Sequence, residues 1–210
     1  MAVGRLPWLI IYAIAMAYVE SAVVVYLRAI YYPQGFAFPL APMQPGMVAI
    51  EIAREVATLV MLVGVAILAG TDRWDRFIAF CVSFGVWDIL YYVWLWILLG
   101  WPPSLLTWDV LFLIPVPWIG PVLAPVIVSI ALVAGGLLLL RKRACGEPIH
   151  FPAPLWALLV VGGLLVLGSF MLDFHVVPLR LEPPPFRWGL FGTGLTLGFV
   201  ALVLALRKRA

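Results

Sequence analysis

Charge is what this chain has least of. Asp, Glu, Lys and Arg make up 11% of its 210 residues, against about 25% in a soluble domain. Histidine is scarcer still. His150 and His175 both fall outside the long apolar runs, which argues against bis-histidine haem ligation within a membrane. Cysteine occurs twice, as Cys81 and Cys145, too rarely for a disulfide framework. The grouping Cys145, Glu147 and His150 matches no strong zinc spacing. No H-E-x-x-H, C-x-x-C, glycine-rich phosphate loop or nucleophile–histidine arrangement is present, so the common enzyme signatures are missing. The residues therefore name no cofactor.

Apolar residues fill the space that charge leaves. They form 65% of the chain, and the mean hydropathy is +1.13. That is more apolar side chain than one water-soluble core can hide. The long uncharged runs are continuous rather than alternating, which selects an all-α integral membrane protein over a β-barrel. Spans are expected at about 7–32, 47–70, 77–99, 120–140, 155–172 and 188–206, forming a single transmembrane domain. Pro7 suits a first helical turn and Pro33 ends the first span. Arg5, the following apolar run and Ala15-Met16-Ala17 resemble a secretory signal. The run continues to Tyr32, however, long enough to cross a bilayer.

The net charge of +3 does not point to nucleic acid. Arg141-Lys142-Arg143 and Arg207-Lys208-Arg209 each follow an apolar span, as the positive-inside pattern requires. With Arg5 and the Arg73/Arg76 loop, they place both termini in the cytoplasm of a cell-membrane protein. The 71–76 loop is expected to hold solvated or locally paired charges. The 33–46 loop, rich in Pro, Gly and aromatics, reads either as an interfacial loop or as a partly buried cap.

The stretch 104–125 is the least regular. Trp101-Pro102-Pro103 ends one helix, and Pro115, Pro117, Pro121 and Pro125 interrupt the next apolar run. A short outer or re-entrant helix at about 104–114 is expected before the fourth span. Non-helical backbone at this depth is tolerated only when protein buries it. Spans five and six are uncharged internally. Gly194-x-x-x-Gly198 permits close helix contact, within the chain or in a homo-oligomer.

The remaining charge segregates. Glu20, Arg28, Glu51, Arg54, Glu55, Asp88 and Asp109 all fall at mid-depth or in the outer half of this topology. Spacings of three and four put Glu51, Arg54 and Glu55 on one helical face. Asp88, Tyr91 and Tyr92 share another, while Trp94, Trp96 and Trp101 suit an interfacial aromatic belt. Charge at mid-bilayer costs roughly 2.5–3.5 kcal/mol per residue on insertion scales, so it needs a partner or a job. One outward-facing site is therefore expected, formed by Glu20, Arg28, Glu51, Arg54, Glu55, Asp88, Tyr91, Tyr92, Trp108 and Asp109. If a metal binds, the expected ligands are Glu20, Glu51, Glu55 and Asp88, an all-oxygen set suited to Mg²⁺, Ca²⁺ or Mn²⁺.

Full ionisation of these five carboxylates and two guanidiniums leaves a formal charge of −3, which low-dielectric surroundings penalise. A proton, a bound cation or penetrating water must offset it. Three classes follow: binding or transport of a cation, proton or small cationic molecule; a membrane-embedded enzyme acting on a lipid or polyprenyl substrate; and a structural subunit of a larger membrane complex. The partners these imply are the lipid bilayer and a small-molecule, cation or lipid ligand.

Overall fold

The computed structural model describes residues 3–175 and 184–207. Arg180, Glu182, Lys208 and Arg209 lie outside the described residues. Among the described residues six helices are long and apolar enough to cross a membrane. They are α1 (Leu6–Tyr31), α2 (Pro45–Ala69), α3 (Arg73–Leu99), α4 (Leu123–Ala144), α5 (Ala153–Met171) and α6 (Trp188–Arg207). Trp8, Leu68, Leu164 and Phe199 stand exposed on their outer surfaces. Exposed apolar groups of this size in helix after helix suit contact with lipid rather than water.

The centre of the bundle is α3, which packs on α1, α2 and α4. On α1 the buried residues Leu9, Ala13, Met16, Ala17, Glu20 and Ser21 recur at three and four, giving one stripe toward α3. The stretch that resembles a signal cleavage site thus lies in the core, with Met16 and Ala17 packed beside Leu62 of α2 and Trp87 of α3. The Trp94 indole on α3 donates to the Ile14 carbonyl on α1 at 3.3 Å. Close approach of α3 and α4 depends on Gly85. A Cβ there would sit 2.6 Å from the Ser129 carbonyl oxygen, too close to be accommodated without movement.

The pair α5–α6 forms a hairpin that touches the rest through α4, through strand β2 (Trp118–Pro121) and through Trp156, which packs on Trp74 and Phe77 of α3. Gly162 and Gly194 let its two backbones meet. A Cβ on Gly194 would lie 2.5 Å from the Gly162 carbonyl oxygen. The glycine pattern of α6 therefore serves contact within the chain.

The stretch expected to form a short outer helix is instead a β-hairpin, a correction with a clear cause. Strand β1 (Trp108–Phe112) pairs antiparallel with β2, Asp109 opposite Gly120 and Val110 opposite Ile119. Pro115, Pro117 and Pro121 lack the N–H donors a helix needs. The flanking Trp108, Val110, Phe112, Trp118 and Ile119 are β-branched and aromatic residues that favour strands. Pairing satisfies most of the hairpin backbone. Two further bonds close its ends, from the Val122 N–H to the Thr107 carbonyl at 3.0 Å and from the Leu123 N–H to the Leu105 carbonyl at 2.7 Å. Because β2 uses residues 118–121, α4 begins at Leu123 rather than at 120.

The chain's cationic helix ends gather at one end of the bundle. Arg5 donates to the last carbonyls of α2, at Leu68 and Ala69, and Lys142 donates to the Ala205 and Leu206 carbonyls near the end of α6. Cations at helix C-termini interact favourably with the helix dipole. Asp72 caps α3 by accepting from the Asp75 N–H at 2.9 Å, so α3 starts at Arg73. In the 71–76 loop Arg73 and Arg76 are exposed and Asp72 is half exposed, while Asp75 is buried and accepts from the Thr71 hydroxyl at 2.5 Å. Arg143 of α4 reaches Asp72 and, at 3.2 Å, the fully buried Asp75.

Candidate functional site

At the opposite end of the bundle lies a cavity of about 190 Å³. Its walls come from α1, α2, α3, the β-hairpin and the 32–43 loop. Trp87, packed with Ala13, Met16, Ala17 and Leu62, forms its floor. Glu20, Arg28, Glu51, Arg54, Glu55, Asp88, Tyr91, Tyr92 and Asp109 all line it, although they come from segments far apart in sequence. Helical spacing explains the grouping. Glu20, Val24, Leu27, Arg28 and Tyr31 descend one face of α1, and Glu51, Arg54, Glu55 and Thr58 share one face of α2.

Arg54 is the hub of the α1–α2 contact. Its guanidinium donates to Glu20, and its Nε donates to Glu51 at 2.8 Å. The Thr58 hydroxyl donates to the other Glu20 oxygen at 2.7 Å. Glu20 and Glu51 are buried, and Arg54 is partly exposed to the cavity. One guanidinium thus serves two carboxylates.

Glu55 does a different task. Its two oxygens lie 3.0 and 2.9 Å from the Leu113 backbone nitrogen and accept that N–H, which β pairing leaves without a partner. On α3, Asp88 accepts from the Ser129 hydroxyl of α4 at 2.7 Å.

Arg28 and Asp109 form the second ion pair, at 3.2 Å, with both side chains buried. The Arg28 guanidinium carbon lies 3.7 Å from the Trp101 ring centre and 4.6 Å from that of Phe36. Two aromatic faces thus replace part of its hydration. Trp101 is one face of this sandwich. Phe36 brings in the 33–44 loop, which folds back over the cavity. The Ala41 N–H donates to the Tyr32 hydroxyl at 2.8 Å, and Leu40, Ala41 and Met43 line the cavity wall. Of the two readings of this loop, the structure has the cap.

Burial raises the Asp109 carboxyl to about 6, against the opposing pull of Arg28, the Val110 N–H and the facing Tyr92 phenol. Asp109 Oδ2 accepts no hydrogen bond of good geometry from a protein donor, and the buried Trp87 indole N–H finds no protein acceptor. Buried polar atoms without partners are rare, and each calls for an explanation.

Two expectations about the site need correction. Trp108 does not line the cavity. Successive strand residues point to opposite faces, so with Asp109 turned inward, Trp108 packs edge-on against Phe186 instead. The four carboxylates proposed as metal ligands are also dispersed among separate partners: Glu20 and Glu51 on Arg54, Glu55 on Leu113, and Asp88 on Ser129. Among the described residues no group of three or more His, Cys, Asp or Glu side chains is placed to hold a metal ion.

Thr58, Ser129, Phe36 and the Leu113 N–H escaped the sequence reading. Thr58 had a usable signal, standing four residues beyond Arg54 on the acidic face of α2. Ser129 had none, since one serine in an apolar helix carries no mark of its partner. In comparisons with known protein families, curated proteins and solved structures, the chain has no match.

Proposed function

We propose that the cavity binds a small organic cation, of the protonated-amine or quaternary-ammonium class, and that the protein sits in the cell membrane with both termini cytoplasmic. The observation that carries this reading is the charge pairing. Both guanidiniums in the cavity wall are already taken by carboxylates, Arg28 by Asp109 and Arg54 by Glu20 and Glu51. Negative charge from Glu55, Asp88 and the Arg54 cluster is left without a cationic partner. The surrounding Tyr91, Tyr92 and Trp87 rings offer π faces, which favour a bound cation. The scattered carboxylates suit a diffuse organic cation better than a compact divalent metal. The orientation rests on Arg5, Arg73, Arg76, Arg141–Arg143 and Arg207 sharing one end.

Binding is favoured over free passage because apolar packing lies beneath the cavity. Below the Trp87 floor, Leu9, Ile78, Val82 and Leu139 form a further buried cluster. Transport would require that packing to open.

The test is titration of the purified protein in nanodiscs with ammonium, methylammonium and tetramethylammonium, followed by calorimetry. The expected result is saturable binding that strengthens with methylation and is lost in Asp88→Asn and Glu55→Gln. Equal, non-saturable responses to all three ions, or wild-type binding in both variants, would overturn it.

A structural role is the second reading, and one observation favours it. Every carboxylate in the cavity already has at least one protein partner. In that case, ligand titration gives no signal while substitutions lower the melting temperature. An enzyme acting on a lipid phosphate gains least, because neither guanidinium is available to grip an anion.

A further inference from the structure

A second and larger cavity, about 530 Å³, separates the α5–α6 hairpin from α3 and α4. Its wall is almost wholly apolar, running from Trp74, Phe77 and Trp156 at the basic end to Ile127, Val166 and Gly194. Leu138, Trp156 and Phe199 on its lip are exposed, so the groove opens toward the surrounding bilayer. An apolar cavity of this kind does not hold water, and its occupant must be apolar along its length.

Two features identify that occupant. The first is length. Ile127 to Leu139 spans about 18 Å at the helical rise, more than half of the ~30 Å hydrocarbon core. The groove therefore starts at the basic end and is long enough to take one acyl chain along α4. The second is charge. Arg73 precedes Trp74, and Arg141 follows Leu138 and Leu139 by less than a turn. Both arginines are exposed, as is Arg207 at the end of α6. Among the described residues that end carries Arg5, Arg73, Arg76, Arg141, Lys142, Arg143 and Arg207 against Asp72, Asp75 and Glu147. Arg143 is already bonded to Asp72 and Asp75. The cationic rim complements an anionic headgroup at the mouth of an apolar slot.

We propose that this groove is a binding site for an anionic phospholipid of the basic-side leaflet. One acyl chain lies between α4 and the α5–α6 hairpin, and the phosphate rests against Arg73 and Arg141. The proposal is independent of the cation cavity, which lies at the other end of the molecule.

The glycines provide a clean test. Gly163 of α5 and Gly198 of α6 both line the groove, and a Cβ at either meets no atom within 4 Å. Gly163→Leu and Gly198→Leu therefore plug the slot without crowding the fold, and leucine is the better helix former. The full chain is reconstituted in nanodiscs of equal parts phosphatidylcholine and phosphatidylglycerol, and the lipids retained on release are counted by native mass spectrometry. The expected result is selective retention of phosphatidylglycerol, abolished by either plug with the helical circular dichroism unchanged. Arg73→Ala with Arg141→Ala should weaken retention roughly thirtyfold, since each arginine near an anionic surface contributes on the order of 1 kcal/mol. Equal retention of both lipids would overturn the proposal. So would undiminished retention in both plugged variants, or a groove closed by a second copy, seen as a dimer that the plugs dissociate.

Discussion

Glu55 caps the backbone of Leu113, placing a carboxylate of α2 on the N–H that follows the last paired residue of β1. The bond joins residues 58 apart in sequence and ties the β-hairpin to the helices around the cavity. Glu55 therefore has a structural task as well as a place in the cavity wall, and the two can be separated. Glu55→Ala leaves the Leu113 N–H unsatisfied and should cost about 1–3 kcal/mol. Glu55→Gln retains a carbonyl acceptor and should cost less, while removing the charge. Thermal melts of both, with amide exchange at Leu113, check this. Equal destabilisation by Gln and Ala would show that charge, not the hydrogen bond, holds the hairpin.

Arg54 should be the least replaceable residue in the cavity wall. Removing it leaves Glu20 and Glu51 buried without their cation, and breaking a buried ion pair from one side costs about 3–5 kcal/mol. Arg54→Met should therefore unfold readily in detergent. The triple variant with Glu20→Gln and Glu51→Gln should recover much of the loss, because no uncompensated charge remains. Denaturant titration of the single and triple variants measures the recovery. A triple variant no more stable than Arg54→Met counts against this reading.

Asp109 predicts a pH dependence of definite sign. Its folded-state pKa, about 6, lies above the usual value of 3.8, so the folded protein holds this proton more tightly than the unfolded chain does. Its contribution to stability is complete below about pH 4. It falls as pH rises toward 6 and is constant above. The loss is at most about 3 kcal/mol. Asp109→Asn cannot titrate, so the difference between wild-type and variant melting curves isolates this slope. A difference independent of pH between 4 and 7 would contradict the assignment.

Gly85 should tolerate no side chain of any size. Gly85→Val would drive atoms into the Ser129 backbone and the Val133 side chain, which already lie 2.6 and 2.7 Å from an ideal Cβ. Overpacking of this kind costs about 1–3 kcal/mol. It would also push Ser129 away from Asp88. Gly64→Ala in α2, where a Cβ meets nothing, is the control and should be neutral or slightly stabilising. Parallel melts compare the two, and equal effects would mean that α3 and α4 are free to separate.

The architecture was largely legible from residue type alone. Continuous apolar runs have only one way to satisfy their backbone in lipid, so length and hydropathy suffice to find six helices. Segregation of charge was equally legible: helical spacing put Glu51, Arg54 and Glu55 on one face, and a single cavity does collect them with Glu20, Arg28, Asp88 and Asp109. What escaped was everything that depends on which chain segments meet. Four prolines announced irregular backbone at 115–125 but not its form. A hairpin is stable there only because α2 supplies Glu55 and α5 supplies Phe170, against which Trp118 stacks. Strand alternation then turned Asp109 toward Arg28 and Trp108 away, an outcome no helical spacing could anticipate. The rule that charge must be paired in a low-dielectric interior acts on composition, and so it can be read from sequence. The choice of partner acts through distance: Arg54 with two carboxylates, Arg28 between two rings, Asp88 with a serine. Only the packed chain sets those distances.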